Sequence, residues 1–405
     1  MSAKWPTKPS NGSYDVVIVG GAMFGSSVAW FLADNPDFDG SVLVVEKDPS
    51  YENSATAHTN SCMRQQFSNE INVRVSQFAA DFVNNFHEYM HCDPLAPKLS
   101  IQNYGYMYLA DNEQFADVLR ESHAVQVRCG AGTKLMTPDE ILRDYPFFQV
   151  DDVVLGSHNL VDEGYWDCVA VFDGWQRSAR RQGVEYVSNE VTAISRNPAG
   201  TRVQSVTLSS GEVIECGVVV NATGPRATKT ALMAGIELPV EPRKRYTYIF
   251  AAEKPLDRDL PLTIDPSGIH VRTDGKNYLA GCSPGVDVAV AYDDFVEDHS
   301  LWEEKVWPVL ATRIPQFEAI KVLNSWAGHY SYNTFDHNAI LGSHTTVENF
   351  IFVNGFSGHG LQQSPAMGRG TAELITYGEY RTLDLSPFNY ARIEKNEPFI
   401  EKAVI

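Results

Sequence analysis

Cysteine is scarce in this 405-residue chain. The six cysteines lie singly along it, at Cys62, Cys92, Cys129, Cys168, Cys216 and Cys282. A disulfide framework or a zinc site needs closely spaced ligands, and the spacings of His329, His337, His344 and His359 match no helical or strand ligand pattern. We therefore expect reduced thiols, a cytoplasmic protein and no metal site.

Basic residues are also few. The chain has 32 lysines and arginines against 51 aspartates and glutamates, a formal net charge of −19 at pH 7. Nucleic acids and anionic membrane surfaces are bound by clustered lysine and arginine, so neither is an expected partner. The first residues are polar and the first arginine is Arg64, which predicts neither a signal peptide nor an arginine-rich transit peptide.

One uncharged stretch is long enough to raise the question of a membrane span. Residues 16–33, VVIVGGAMFGSSVAWFLA, contain no charge over eighteen positions. They start with a β-branched run, pass a glycine pair and continue with small residues at helical spacing. This pattern predicts a strand, a turn and a helix, and no transmembrane segment.

The turn GGAMFG has the spacing of a dinucleotide-binding motif, with alanine where the second glycine often stands. Gly20 permits the tight turn, Ala22 allows close approach of a pyrophosphate, and Gly25 lets the helix pack on the strand. A second apolar strand, SVLVVEKD, ends at Glu46, whose carboxylate can accept from the ribose hydroxyls of an adenosine. Together the two features predict an adenine dinucleotide site, and a purely structural glycine turn is the alternative.

Further segments carry a family resemblance. SYENSATAHTNSCMRQQFS, VVVNATGPRA and GFSGHGLQQSPAMGR resemble the FAD-dependent amine oxidoreductases that include glycine oxidase, sarcosine oxidase and D-amino-acid oxidase, over Tyr14 to about Tyr380. RQQFS, YNTFD and the GFSGHG block look most like the branch that contains FAD-dependent oxidoreductase domain-containing protein 1. The resemblance implies FAD as the cofactor.

The resemblance also implies an α/β (α+β) fold of the glutathione-reductase type, and a chain of this length suits two domains. We expect a discontinuous Rossmann-like FAD-binding domain, with a mixed or parallel sheet, at residues 14–90, 151–232 and 326–395. Residues 91–150 and 233–325 are expected to form a substrate-binding domain with an antiparallel sheet and helices.

Local patterns add three expectations. In the family the last glycine-rich segment crosses the isoalloxazine ring and begins a helix; here Ser364 and Pro365 predict its N-cap and first residue, and Gly378 its end. A strand is expected to end near Val191. GEVIECGVVVNATGPRA predicts a hairpin-like pair that runs into the turn beside the cofactor.

The implied FAD contacts form four groups. They are Gly20, Ala22, Met23, Phe24, Gly25, Glu46 and Lys47; Thr56, Ala57, His58 and Arg64; Val191, Ala222, Thr223 and Gly224; and Gly355, Gly358, His359, Gly360, Leu361 and Gln362. Relatives of the dimethylglycine dehydrogenase type attach FAD through a histidine where this chain has His58. Sarcosine oxidases use a cysteine at a position that reads His329 here. We expect noncovalent FAD, with attachment through His58 as the alternative.

The resemblance implies a catalytic set as well. Arg64 aligns with the carboxylate-binding arginine, whose planar guanidinium suits bidentate pairing, and His359 matches the active-site histidine of GFSGHG. Gln362 stands where a lysine often assists the clamp, which argues against simple sarcosine-like substrates. Aromatic faces can surround an amine, and the candidates are Tyr246 and Tyr332, from a group that also holds Tyr248, Trp326 and Tyr330.

The expected reaction moves a hydride from the carbon beside an amine nitrogen to flavin N5 and leaves an imine that water hydrolyses. We predict a secondary amine or amino acid as substrate, N-methylated, N-alkylated or opine-like. A D-amino-acid dehydrogenase, or a scaffold or assembly factor with structural FAD, is the alternative. The electrons would pass to oxygen or another carrier; Leu279 replaces the lysine that promotes reaction with oxygen in sarcosine oxidases, which favours another carrier.

Overall fold

The computed structural model describes residues 5–402, which form two eight-stranded sheets and a two-stranded ribbon. The strands are β1 (Ser13–Val19), β2 (Val42–Glu46), β3 (Cys62–Met63), β4 (Tyr106–Ala110), β5 (Lys134–Met136), β6 (Leu155–Asn159), β7 (Gly164–Tyr165), β8 (Glu185–Ser188), β9 (Val191–Arg196), β10 (Val203–Leu208), β11 (Val213–Asn221), β12 (Val240–Ala252), β13 (Leu262–Ile264), β14 (His270–Asp274), β15 (Asn277–Cys282), β16 (Ile320–Asn333), β17 (Ile340–Ser343) and β18 (Phe350–Asn354).

Helices cover the sheets. They are α1 (Met23–Ala33), α2 (Glu70–Asn84), α3 (Phe86–Tyr89), α4 (Glu113–Arg128), α5 (Pro138–Asp144), α6 (Cys168–Arg181), α7 (Ala227–Met233), α8 (Trp307–Arg313), α9 (Gly360–Tyr377) and α10 (Ala391–Glu394), with short turns of other helical types at Gly224–Arg226, Trp302–Val306, Pro315–Glu318 and Ser386–Phe388. Between residues 5 and 402, no helix combines the length and the apolar character that a bilayer crossing requires.

The first sheet has the order β17-β18-β11-β1-β2-β8, and β10 and β9 extend it from β11. β1 pairs in parallel with β2 and β11. In β1, Val16 and Ile18 enter the core beneath α1, α6 and α9, while Val17 and Val19 enter the core on the opposite face. Strands buried on both faces read as continuous apolar runs, which explains why VVIV predicts this strand.

The second sheet has the order β16-β12-β15-β14-β13-β4-β6-β5 and is antiparallel except between β13 and β4. The two sheets together confirm the predicted fold class. β6 and all of β16 belong to the second sheet, so its strands extend beyond residues 91–150 and 233–325. The division into two domains stays a prediction.

The predicted start of the last long helix is wrong. α9 begins at Gly360, and Pro365 lies inside it. Proline has no N–H for the carbonyl four residues earlier, and the Ser364 hydroxyl donates to that Leu361 carbonyl instead, at 2.8 Å. Gly378 ends the helix in the left-handed region, with φ of 76°, as expected.

Two strand predictions in the middle of the chain also need correction. β8 ends at Ser188, and Val191 begins β9 rather than ending a strand. The hairpin joins β10 to β11, with Val206 opposite Ile214, and does not lie within residues 211–227. Gly211, with φ of 96°, supplies the left-handed residue of its turn.

Candidate active site

A cavity of about 410 Å³ lies between the two sheets. One wall comes from the carboxyl ends of β1, β2 and β11 and from the start of α1 and α9, and the other from β4, β12, β13, β14 and β16. Ligands of α/β proteins bind at the carboxyl ends of parallel strands, and pockets of this size hold cofactors and small substrates. This cavity is therefore the candidate active site.

Most residues predicted from the sequence border this cavity. They are Gly20, Ala22, Met23, Phe24, Glu46, Lys47, Thr56, His58, Arg64, Val191, Ala222, Thr223, Gly224, Tyr246, Gly358, His359, Gly360, Leu361 and Gln362. Four predicted residues within the described chain lie off it, namely Gly25, Ala57, Gly355 and Tyr332.

The two glycines among these four act by packing. A Cβ atom at Gly25 would lie 1.8 Å from the Gly20 carbonyl oxygen, so glycine is required where α1 crosses the turn. A Cβ atom at Gly355 would lie 3.2 Å from Cβ of Asn333. Gly25 thus brings two backbones together, and Gly355 leaves room for the Asn333 side chain. Their contact with the cofactor stays a prediction.

Ala57 and Tyr332 also have other neighbours. Ala57 donates its backbone N–H to the Ser54 carbonyl and closes a turn, at 3.1 Å. Tyr332 lies farther along β16 than the cavity, where its ring covers the Arg243 guanidinium at 4.5 Å. The predicted place of Tyr332 in the catalytic set is therefore corrected to a contact outside the cavity.

The turn after β1 brings backbone close to the cavity. Gly20 has φ of +93°, and a Cβ atom there would lie 2.6 Å from the Ala222 carbonyl oxygen. Ala22 precedes α1 without a side-chain cap, and the Met23 N–H donates to the Thr56 hydroxyl at 3.3 Å. The positive end of the helix dipole nevertheless faces a ligand at this turn. This arrangement fits the pyrophosphate of an adenine dinucleotide.

Glu46 ends β2 with an anchored carboxylate. It accepts from the backbone N–H groups of Gly21 and Asp48, each at 2.8 Å. Burial raises the pKa of the Glu46 carboxyl. The Tyr51 hydroxyl, which donates to the Gly21 carbonyl at 3.0 Å, closes the same corner. The position fits the predicted contact with ribose hydroxyls.

The start of α9 forms the floor near the second sheet. A Cβ atom at Gly358 would lie 2.4 Å from the Tyr330 ring, so only glycine lets the chain pass that ring. His359 is 4% exposed and meets the Phe67 ring edge-on at 5.2 Å. α9 then starts at Gly360 without a side-chain cap, and its positive end faces the cavity.

Arg64 is the buried cation of the site, with 1% of its surface exposed. Its backbone N–H donates to Oε1 of Gln362 at 2.8 Å, which joins its segment to α9. Its Nη1 donates to the Tyr108 hydroxyl and to the Gln66 carbonyl, and its Cζ lies 4.4 Å from the Phe67 ring centroid. A guanidinium fixed in this way suits a carboxylate.

The second-sheet wall follows strand alternation. In β12 the ring of Tyr246 belongs to the core behind the sheet, with Cys282. Arg245 and Thr247 alternate with it and border the cavity. Tyr330 on β16 borders the cavity as well, with the Arg245 Cζ at 4.6 Å from its ring. Of the two predicted tyrosines, Tyr246 borders the cavity, although its ring belongs to the core behind the sheet.

Sequence reasoning missed a hydrogen-bonded group of three cavity residues, Asn60, Thr247 and His270. Asn60 is 187 residues from Thr247 and 210 from His270 along the chain. Burial, and after it the neighbouring Arg272 and Arg245, lowers the pKa of His270 to about 4, so its imidazole is neutral near pH 7. One feature of the sequence could have indicated Thr247: side chains alternate along β12, so Thr247 and Tyr246 lie on opposite faces of the sheet.

His58 borders the cavity close to β16. A Cβ atom at Gly328 would lie 2.8 Å from Cβ of His58, and the imidazole centroid lies 5.9 Å from the Phe295 ring. Burial and then the neighbouring His329 lower the pKa of His58. The lowered pKa favours the neutral form of the His58 imidazole.

Comparisons with known proteins show the family of this chain. The sequence profile of the family described as FAD dependent oxidoreductase (DAO) matches residues 15–374. FAD-dependent oxidoreductase domain-containing protein 1 of Xenopus laevis is 38% identical over 424 residues, which cover 96% of this chain and 85% of that protein. Sarcosine oxidase subunit beta of an Arthrobacter species is 24% identical over 399 residues, 96% of this chain and 93% of that protein.

A solved structure supports the fold over its full length. L-proline dehydrogenase from P. horikoshii matches with a TM-score of 0.82 and 26% identity, over 98% of this chain and 100% of that chain. The predicted resemblance, the fold class and the oxidoreductase assignment are confirmed. The glycine turn, Glu46 and the start of α9 are the groups that would hold the FAD. The chain belongs to the FAD-dependent oxidoreductases of the DAO family.

Proposed function

We propose that this oxidoreductase oxidises the C–N bond of a secondary amine or amino acid that carries a carboxylate, of the N-methyl, N-alkyl or opine-like kind. The observation that carries the proposal is the Arg64 guanidinium, buried at the border of a cavity whose other wall fits FAD. Sarcosine and proline, after which two similar proteins are named, are both secondary amino acids. We also propose that the second sheet, which supplies the wall opposite the glycine turn, is the substrate-binding part.

The chemistry divides between cofactor and chain. When bound, FAD supplies the acceptor for a hydride that leaves the carbon beside the amine nitrogen. The amine must be neutral, so that its lone pair forms the C=N bond; water then hydrolyses the resulting iminium ion to a carbonyl compound and a primary amine. Arg64 would hold the carboxylate, and His359 and Gln362 would fix the start of α9 beside it.

We propose that FAD is held without a covalent bond. Glycine turns and helix starts on the first wall offer backbone groups along the length of a dinucleotide. Attachment through His58 is the alternative, because its imidazole borders the cavity. Acid precipitation distinguishes the two, since only a covalent flavin stays in the pellet.

We propose an electron acceptor other than oxygen. Leu279 is 3% exposed and sits in β15 between Ile249 and Arg272, and Lys276 lies in the turn before it. The lysines that border the cavity, Lys47 and Lys229, both pair with Glu190. Reduced protein should therefore reoxidise faster with an artificial quinone than with air-saturated buffer, and the reverse order would overturn this proposal.

The proposed function is tested by anaerobic titration of the FAD-loaded protein with N-methylglycine, L-proline, N-carboxyalkyl amino acids and D-amino acids. Loss of the visible flavin band with a secondary amino acid is the expected result. Bleaching by D-amino acids alone would indicate a D-amino-acid dehydrogenase. Absence of bleaching with every amine, together with a stable protein complex, would favour the scaffold role and contradict the proposal.

A further inference from the structure

The cavity holds a second polar group besides Arg64. The Asn60 amide nitrogen lies 2.8 Å from Nε2 of His270, and the Thr247 hydroxyl lies 3.3 Å from Oδ1 of Asn60. The structure thus places the amide nitrogen of Asn60 beside Nε2 of His270 and its amide oxygen beside the Thr247 hydroxyl. The Asn60 backbone carbonyl accepts from Arg272 at 2.9 Å. Both the main chain and the amide of Asn60 are thereby oriented.

The second sheet is shaped to allow this group. Thr247, Gly281 and His270 lie side by side on β12, β15 and β14. A Cβ atom at Gly281 would lie 2.3 Å from Nε2 of His270. Glycine on the middle strand thus leaves room for the imidazole, and the Asn60 amide bridges the two outer strands. The ring cannot turn freely, because it is 6% exposed and seated on backbone.

This orientation leaves one donor for a ligand. A primary amide has two N–H bonds, and His270 takes one of those on Asn60. Among residues 5–402 no acceptor is paired with the second, and Asn60 is only half-buried at the cavity border. The Asn60 amide therefore has a second N–H that a ligand in the cavity can use.

Arg64 and Asn60 stand over different strands of the same sheet face. Arg64 donates to Tyr108 on β4, and Tyr108 is in register with Ile264 and, through it, with His270. The two donors therefore flank the wall that β13 and β14 form. A ligand with one acceptor group on each side of a central amine would offer one acceptor to each donor.

We propose that Asn60 is a second substrate-binding residue, positioned by His270 and Thr247, and that the substrate is an N-carboxyalkyl amino acid whose two carboxylates bind Arg64 and Asn60. The inference rests on the proposed function and narrows its substrate class. Arg64 alone would serve N-methyl amino acids equally well. Asn60 provides the reason to prefer a second carboxylate.

The test measures binding and not turnover. (Methylthio)acetate has one carboxylate, while thiodiacetate and 3-(carboxymethylthio)propanoate have two, and sulfur in place of nitrogen prevents oxidation to an imine. Each is titrated into the full-length FAD-loaded protein, and affinity is read from the perturbed visible flavin band. We expect at least one dicarboxylate to bind about tenfold or more tightly than the monocarboxylate, the size of one hydrogen bond to a charged group.

Variants separate recognition from packing. The quantity compared is the ratio of the dicarboxylate affinity to the monocarboxylate affinity. Asn60→Asp should bring this ratio below one, because the aspartate carboxylate cannot donate a hydrogen bond and repels the second carboxylate of the ligand. His270→Leu should lower the ratio about fivefold or more, whereas His270→Gln, whose side-chain oxygen can accept in place of Nε2, should retain most of it. His158→Leu is the matched control: His158 is also 6% exposed and lies in the second sheet, away from the cavity.

Four results would overturn the inference: no binding of any thioether acid, equal affinity for one and two carboxylates, an unchanged ratio in Asn60→Asp, or a change in FAD affinity of that variant without a change in the ratio. The last would make Asn60 a cofactor contact. Amine titration keeps the two proposals apart. If N-methylglycine bleaches the flavin and the affinity ratio is one, the proposed amine oxidation stands and the Asn60 proposal fails. If the ratio is high and no amine bleaches the flavin, the site for two carboxylates stands and the proposed amine oxidation fails.

Discussion

The two walls of the cavity are built in different ways. The first-sheet wall consists mainly of backbone, at the turn of residues 20–25 and the start of α9, and Glu46 adds a carboxylate anchored by backbone N–H groups. The second wall consists of side chains carried by β12, β14 and β16 and by the segment around Arg64. A backbone wall depends on the absence of side chains, so it tolerates little substitution. A side-chain wall can be altered to change the ligand without loss of the cofactor.

The largest effect is expected on the backbone wall. Gly20→Ala places a Cβ atom 2.6 Å from the Ala222 carbonyl oxygen, at φ of +93°. We expect loss of FAD and a decrease of roughly 3 kcal/mol or more in the free energy of unfolding. Gly211→Ala is the control, because its φ of +96° is equally strained but no atom lies within 4 Å of its Cβ.

Gly211→Ala should cost about 1 kcal/mol and retain FAD. The flavin absorbance per protein and the urea midpoint of both variants give the comparison. A yellow Gly20→Ala protein as stable as Gly211→Ala would show that the turn does not need its close approach.

A smaller effect, confined to the ligand, is expected from Arg64→Lys. Lysine keeps the charge but loses the planar pair of donors, so the affinity for (methylthio)acetate should fall about 30-fold, equivalent to about 2 kcal/mol. FAD content should not change. Arg313→Lys is the control, since Arg313 is 6% exposed and pairs with Asp152 and Asp265 outside the cavity.

The control should lose stability and keep its ligand affinity. The reverse result for Arg64→Lys, with FAD lost and acid binding retained, would place Arg64 among the structural supports of the backbone wall.

The second sheet should also make the protein sensitive to acid. Burial lowers the pKa values of His158 and His270 from 6.5 to about 4. The unfolded chain binds their protons first, so stability is complete above pH 6.5 and is lost as pH falls towards 4. Each histidine should contribute a loss of about 1.4 kcal/mol per pH unit within that window.

Urea unfolding at pH 7, 6 and 5 measures this slope. His158→Leu and His270→Leu should each flatten it relative to the wild type, even where they lower stability at pH 7. Parallel pH curves for wild type and both variants would contradict the assignment of the acid sensitivity to these histidines.

The backbone wall could be predicted from the sequence better than the side-chain wall. The turn at Gly20 is local, because residues 20–25 alone determine its geometry. The sequence therefore predicted this turn together with the strand before it and the helix after it. Glu46 was accessible for the same reason, because it ends the next strand of the unit. Gly25 and Gly355 were also predicted to contact the cofactor and do not line the cavity, since a glycine that admits a neighbouring protein group and one that admits a ligand look alike in a sequence.

The side-chain wall was predicted far less well. The strand KRYTYIFAA was evident from its residue types, but nothing local shows which alternate face meets a ligand, and Tyr246 was chosen where Thr247 points to the cavity. Asn60 and His270 meet across 210 residues, and only the register of β12, β14 and β15 brings them together. The start of α9 was misplaced because the hydroxyl of Ser364 compensates for Pro365 inside the helix.

The smallest effect tests the boundary of the side-chain wall. Tyr330 and Tyr332 lie two residues apart on β16 and point to the same side, yet only Tyr330 borders the cavity. Tyr332→Leu removes a cation–π contact with Arg243 at 4.5 Å and a more distant one with Arg245 at 5.9 Å, which predicts a loss of about 0.5–1 kcal/mol in stability and less than a twofold change in thioether acid affinity. Tyr330→Leu should weaken acid binding several-fold, because its ring lies between Gly358 and the Arg245 guanidinium. Equal effects of the two substitutions on binding would mean that the ligand extends along β16 from Tyr330 to Tyr332. The side-chain wall would then include a residue that lies outside the cavity.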